Sequence, residues 1–118
     1  MANKRELGTK KEDEAAKYLS DRGLVITDRN FRSRFGEIDL VAVDGDYTVF
    51  IEVKYRKNAS AGIPEEAVSI SKARTITKVA DYYRVCKKLS SDAKIRFDVV
   101  AIEGNVIRWH KNAFGYSS

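Results

Sequence analysis

The chain has 118 residues, with 22 Lys and Arg against 17 Asp and Glu, one His, one Cys and one Pro. At 43% hydrophobic and 33% charged, it reads as one globular domain spanning 1–118, which excludes a disordered tail, a collagen-like chain and a membrane span of roughly 20 apolar residues. Residues 54–96 carry 11 basic and 4 acidic side chains, against 9 and 11 over residues 1–53. That asymmetry suits a polyanion held near a carboxylate cluster, and a solvated helix face equally well.

The first residues, Met1 to Glu14, contain no apolar run of the kind a secretory signal needs. From Arg5 to Asp21 the pattern is helical, with Leu7, Ala15, Ala16 and Leu19 in one stripe and Gly23 as the stop. Leu24 to Ile26 predicts a short strand leading into the basic segment Arg29 to Arg34. Glu37–Val43 and Tyr47–Tyr55 are rich in β-branched and aromatic residues, and Asp44-Gly45 between them signals a hairpin. Residues 56–64 predict a loop, with Pro64 opening a helix that runs to about Leu89. Its stripe is Ile70, Ala73, Ile76, Val79, Ala80, Tyr83 and Cys86. Strands at Ile95–Ile102 and Val106–His110 follow, giving the order αβββαββ and a mixed α/β layer domain.

The informative residues lie in the central hairpin. A two-residue loop at Asp44-Gly45 puts Glu37 opposite Glu52, and one at Gly45-Asp46 puts Asp39 opposite Glu52. In both registers Glu37, Asp39, Glu52 and Lys54 emerge on one face, because side chains alternate along a strand. Like charges opposed across a hairpin are destabilising, so acids placed there call for a cation. Oxygen ligands without His or thiolate favour Mg²⁺ or Mn²⁺. Such an ion with a Lys two residues on meets the needs of phosphodiester hydrolysis. The plainer reading makes these the ordinary polar positions of a half-exposed strand.

Gly36-Glu37-Ile38-Asp39 followed, about a dozen residues on, by Glu52-Val53-Lys54 resembles the PD-(D/E)xK restriction-endonuclease-like superfamily. Over nearly the full length the chain resembles more closely the UPF0102 (YraN-like) family, similar to archaeal Holliday-junction resolvases. The blocks that carry this are Leu7-Gly8 through Glu12 to Tyr18-Leu19, Arg29 to Arg32, Phe35 to Leu40, Phe50 to Lys54 with Arg56, Arg96 to Val99, and Asn112 to Phe114. The resemblance implies a restriction-endonuclease-like sheet of about five strands flanked by helices. It also implies a Mg²⁺-dependent DNA endonuclease, acting on branched DNA such as Holliday junctions and working as a homodimer. By position, Asp39 and Glu52 resemble the metal-binding acids, the Val53 carbonyl a further ligand, Lys54 the catalytic lysine and Glu12 the acid from the first helix. Glu37 adjoins them as an alternate or outlying ligand. One departure is that Lys11 stands where the family often has Gly before this Glu.

Among the remaining residues, Arg29, Arg32, Arg34, Arg56, Lys57, Lys72, Arg74 and Lys78 are candidates for phosphate contact, or simply a solubilising surface. Asp98 is expected to pair with Arg96 or a nearby Lys, Trp109 to pack, His110 to be exposed, and Cys86 to be a small core residue. Tyr82, Tyr83 and Phe114 are expected in the core or a dimer contact, not as a base-stacking platform, because the aromatics are not interleaved with the basic clusters. Cys86 alone allows no internal disulfide, which fits a reducing cytoplasm, and one Cys with one His cannot build a zinc site. The reading that competes with an enzyme is a nuclease-like module that binds nucleic acid, or a repair partner, without cutting. A weaker third is a structural partner whose acids merely hold an ion.

Overall fold

The computed structural model describes residues 4–56 and 68–116. The elements are α1 (Lys4–Asp21), β1 (Val25–Ser33), β2 (Gly36–Asp44), β3 (Tyr47–Arg56), α2 (Ile70–Cys86), β4 (Lys94–Glu103) and β5 (Val106–Phe114). This is the expected αβββαββ order, in one five-stranded sheet ordered β1-β2-β3-β4-β5. All neighbours are antiparallel except β3 and β4, the pair that α2 connects.

Gly23 ends α1 as expected. At φ +98° it lets the Leu24 N–H donate to the Leu19 carbonyl and its own N–H to the Ser20 carbonyl, both at 3.1 Å. The turn directs Leu24 inward, where it joins Ala15 and Leu19 against Leu40, Ala42, Val49, Ile51, Val100 and Ile102. The alternate residue Phe50 belongs to a second cluster with Ile38, Val41 and Phe97, covered by Ile76, Val79, Ala80 and Tyr83 of α2. The sheet is therefore buried on both faces, which is why its central strands read as near-continuous apolar runs.

Helix α2 begins at a Ser69 cap whose hydroxyl accepts from the Lys72 N–H at 3.0 Å. The expected start at Pro64 lies outside the described residues. Ala73, Ile76, Val79, Ala80 and Tyr83 of the stripe are buried, but Ile70 is 71% exposed and Cys86 is exposed too. Cys86 is thus not a core residue; the helix overshoots the sheet at both ends.

Three further expectations need correction. Strand β1 takes in the basic segment that was expected to follow a short strand at Leu24–Ile26. As an edge strand it presents polar residues outward, and an irregularity between Ile26 and Asp28 interrupts its alternation. Strand β5 runs to Phe114 instead of stopping at His110, because a register shift opposite Asp98 lets pairing resume at Phe97 and Phe114. His110 is half-buried, not exposed.

That register shift has a visible anchor. The Asp98 carboxylate is fully buried and accepts from Arg96 Nε at 2.9 Å, Arg96 Nη2 at 3.0 Å, Trp109 Nε1 at 2.9 Å and the Asn112 N–H at 2.9 Å. Asn112, at φ +54°, is in the bulged stretch, and its otherwise unpaired N–H finds its partner here. Arg96 also donates to Asp44 Oδ2 at 2.8 Å, tying β4 to the end of β2. The pairing of Asp98 with Arg96 and the packing role of Trp109 are as expected.

Removing the buried carboxylate would leave these donors without an acceptor. Asp98→Ala is expected to lower the unfolding free energy by about 3–5 kcal/mol. Asp44→Ala, at the half-buried end of the same chain of bonds, should cost about 1 kcal/mol. Urea titration of the two variants checks the contrast, and equal losses would contradict it.

Candidate functional site

The hairpin register decides the site. Asp44 pairs with Tyr47 and Leu40 with Ile51, so Gly45-Asp46 is the loop, and continuing the ladder one step sets Asp39 opposite Glu52. The ladder between β2 and β3 stops at that step. Beyond it β2 stays with β1, through Ile38, Glu37 and Gly36, while β3 stays with β4 as far as Arg56. The central strands fork there, and Asp39 and Glu52 stand at the base of the fork. Val53, paired with Val100 of β4 but with no partner on β2, donates its N–H to Asp39 Oδ2 at 2.8 Å.

The electrostatics follow from this crowding. Burial, then the Glu52 carboxylate, push the Asp39 pKa up to about 7, with smaller pushes from Glu12 and Glu37 and an opposing pull from the Val53 N–H. Burial likewise raises Glu52, against the pull of Lys72 and Lys54 and with some push from Glu37 and Glu12. Glu52 is 9% exposed. Lys72 Nζ, reaching from α2, lies 3.8 Å from Glu52 Oε2. Glu12 and Glu37 thus add to the mutual repulsion of Asp39 and Glu52, and two ammonium groups, Lys72 and Lys54, offset only part of it.

Each residue singled out in the sequence can now be placed. Asp39, Glu52, Val53 and Lys54 converge at the fork, with Glu12 of α1 and Glu37 of β2 within electrostatic reach. Glu37 is held by Arg32, whose Nε donates to its Oε2 at 3.0 Å. A groove of about 460 Å³ runs between Arg5, Thr9 and Glu12 on α1 and Asn30, Arg32 and Glu37 on the β1–β2 hairpin. Arg56 ends β3, half-buried, and its buried Nε has no hydrogen-bond partner among the described residues. Arg34 and Arg74 are exposed, Arg29 is paired with Asp13, and Lys57 lies outside the described residues. The sequence did not reveal that Lys72 faces Glu52, since only the crossover of α2 over the sheet brings them together.

The donor set suits a hard divalent cation: two desolvated carboxylates of like charge, with no sulfur or imidazole among the groups that act on them. Among the described residues, no three His, Cys, Asp or Glu side chains are grouped closely enough to hold a metal by themselves. A metal here would rest on Asp39 and Glu52, with main-chain oxygen or water completing its shell. No helix among the described residues is long and apolar enough to cross a membrane.

Comparison with known proteins gives a consistent relationship. Residues 11–102 match the model of "Uncharacterised protein family UPF0102". A UPF0102 protein of Lachnoclostridium phytofermentans is 51% identical over 112 residues, covering 95% of each chain. Another, of Rhodococcus opacus, is 48% identical over 103 residues and 86% of each, and one of Persephonella marina is 42% identical over 107 residues and 91% of each.

Asp39 binds its proton more tightly in the folded chain than in the unfolded one. Folding therefore takes up a proton between about pH 4 and pH 7, and stability contributed below that window is lost as pH rises through it. The loss from this source is expected to be up to about 4 kcal/mol. Asp39→Asn keeps an acceptor for the Val53 N–H and removes the titration, so the variant should be the more stable protein at pH 8 but not at pH 4. Urea unfolding at both pH values checks this; parallel pH profiles for the two proteins would contradict it.

Proposed function

The chain belongs to the UPF0102 family, and from its forked acidic site we propose that it is a divalent-metal-dependent DNA endonuclease. The observation that carries this reading is the pair Asp39 and Glu52, set opposite each other where β2 and β3 part, with Glu52 buried and Asp39 held by the Val53 N–H. Burying two like charges is unfavourable unless a cation repays it, and nothing in the hydrophobic packing requires them there. When bound at these acids, Mg²⁺ or Mn²⁺ supplies neutralisation of the scissile phosphate and a lowered pKa for the attacking water.

The chain's own residues do the rest. Asp39, Glu52 and the Val53 carbonyl would hold the ion, and Glu12 and Glu37, which act on both acids, would orient water beside it. The Lys54 ammonium, two residues from Glu52 on the same face of β3, orients the attacking water and stabilises charge developing on the phosphate. Arg32, Arg34, Arg56, Lys57 and Arg74 meet the phosphates of the strand on either side. Branched DNA is the proposed substrate and a homodimer the proposed working form, since a two-fold pair presents two such sites to two strands.

One observation favours a second reading, a DNA-binding module that does not cut. Lys72 already lies 3.8 Å from Glu52, and an internal ammonium can neutralise an idle acid without any metal.

The two are separated by incubating labelled duplex, single-stranded, flap and four-way-junction DNA with Mg²⁺ or Mn²⁺. The chain is expected to cut at least one of these, and a chelator to stop it. Asp39→Ala and Glu52→Ala are expected to abolish cutting, and Lys54→Ala to slow it by about 10²–10³-fold. Added Mn²⁺ should also raise the thermal midpoint of the natural chain and not of Asp39→Ala, as binding to the folded state alone requires. If all the proteins behave alike in both measurements, the binding-module reading replaces the nuclease.

A further inference from the structure

At the tip of the β1–β2 hairpin, Phe35 is 41% exposed, and across from it on α2, Tyr82 is 47% exposed. Between them lies a cleft of about 270 Å³, lined by Ser33, Arg34, Phe35 and Tyr82. That is just below the ~300 Å³ at which pockets for drug-sized ligands begin, and suits a single flat ring. Both walls are held in place. The Tyr82 ring lies 6.0 Å from that of Phe31, which packs edge-on against buried Tyr83 at 4.9 Å. The hairpin tip is pressed onto α2 at Gly36, where a Cβ would come within 2.9 Å of Thr75 Cγ2 and φ is +146°.

The charges around the cleft are positive. The Arg34 guanidinium lies 4.9 Å and Lys78 Nζ 5.8 Å from the centre of the Phe35 ring. Arg74, Lys78 and Tyr82 recur every four residues and share one side of α2. Asp81, next to Tyr82 in sequence, acts instead on Tyr116. Exposed aromatic faces among cations suit a ligand with both a π-surface and negative charge, and fit an apolar protein partner poorly. The chain order separates Phe35 from Tyr82, so the sequence expectation that the aromatics stand apart from the basic residues does not hold in space.

We propose that Phe35 and Tyr82 form a stacking platform for an unpaired base of a DNA strand whose phosphates lie along Arg34, Lys78 and Arg74. Tyr82 is ten residues beyond Lys72, the residue facing Glu52, or about 15 Å along α2. At ~3.4 Å per nucleotide, the stacked base lies about four or five nucleotides from the acids. The favoured substrate then has an unpaired segment at that distance from its cut. This last step rests on the nuclease reading of the acidic site; the platform itself does not.

The test measures binding without metal, by fluorescence anisotropy, for an oligothymidylate and an abasic oligomer of equal length and charge. The natural chain is expected to bind the oligothymidylate on the order of 10-fold more tightly or better. Phe35→Ala with Tyr82→Ala should remove that preference and keep salt-dependent binding of both oligomers. Phe35→Tyr with Tyr82→Phe should retain the preference, which separates lost rings from lost folding. Asp39→Ala should retain it as well. Equal affinities in the natural chain, no binding of either oligomer, or a preference that survives in the double alanine variant would overturn the platform. So would a dimer that the double alanine variant turns into monomers by sedimentation, since the patch would then be a contact between copies. A preference in a chain that cuts nothing supports the platform and removes the nuclease reading; cutting without preference does the reverse.

Discussion

Two carboxylates drawn out of water at the base of a forked hairpin are the constraint around which this molecule is arranged. Paired strands gain from every ladder bond they complete, so β2 and β3 need a reason to separate after Leu40 and Ile51. Continuing the ladder would hold Asp39 against Glu52 on a closed surface, with Glu37 and Lys54 crowding the same face. Letting β2 follow β1, while β3 follows β4, parts the two strands at these acids. The lost pairing is partly restored by the bond from the Val53 N–H to Asp39. The two apolar clusters, one under each helix, hold the strands in place while the fork stays open.

Comparison of Asp39 with Asp98 shows why one is a candidate site and the other is structure. Asp98 is buried more completely, yet four hydrogen bonds from Arg96, Trp109 and Asn112 saturate its oxygens. A carboxylate so satisfied has no capacity left for a ligand, and its work is to fix the bulge of β5. Asp39 has one backbone donor and three acidic neighbours acting on it. An acid short of donors and crowded by like charges is one that a nearby cation would relieve, which makes it the candidate site. Lys72 supplies part of that charge, and its position on α2 makes the helix a participant in the site as well as a cover for the core.

How much of this could be read from the sequence depended on whether a pattern was local. The alternation of β2 and β3 and the Asp-Gly turn were enough to put Glu37, Asp39, Glu52 and Lys54 together, and the element order followed from the same periodicities. The register required knowing which two residues form the turn, and the sequence allowed both Asp44-Gly45 and Gly45-Asp46. Strand β1 reads short in the sequence because Thr27, Asp28, Arg29 and Asn30 carry no apolar alternation, which an edge strand does not need. β5 reads only as far as His110 because its bulge breaks the period. Ile70 and Cys86 matched the stripe of α2 in angle, but periodicity says nothing of where the sheet beneath a helix ends.

What escaped the sequence altogether was long-range, and α2 is the common factor. Lys72 meets Glu52, Tyr82 meets Phe31 and Phe35, and Thr75 meets Gly36, each through the crossover that lays this helix over β1 and β2. A parallel pair such as β3 and β4 requires a crossover of this kind, so the helix is present for topological reasons before it has any chemical use. Its inner side is then committed to Ala73, Ile76, Val79, Ala80 and Tyr83, and its outer side is free to vary. Arg74, Lys78 and Tyr82 occupy that freedom on the side nearest the hairpin tip. A rigid helix fixes the spacing between Lys72 beside the acids and Tyr82 more firmly than a loop would, so that spacing is set by the same packing that closes the core.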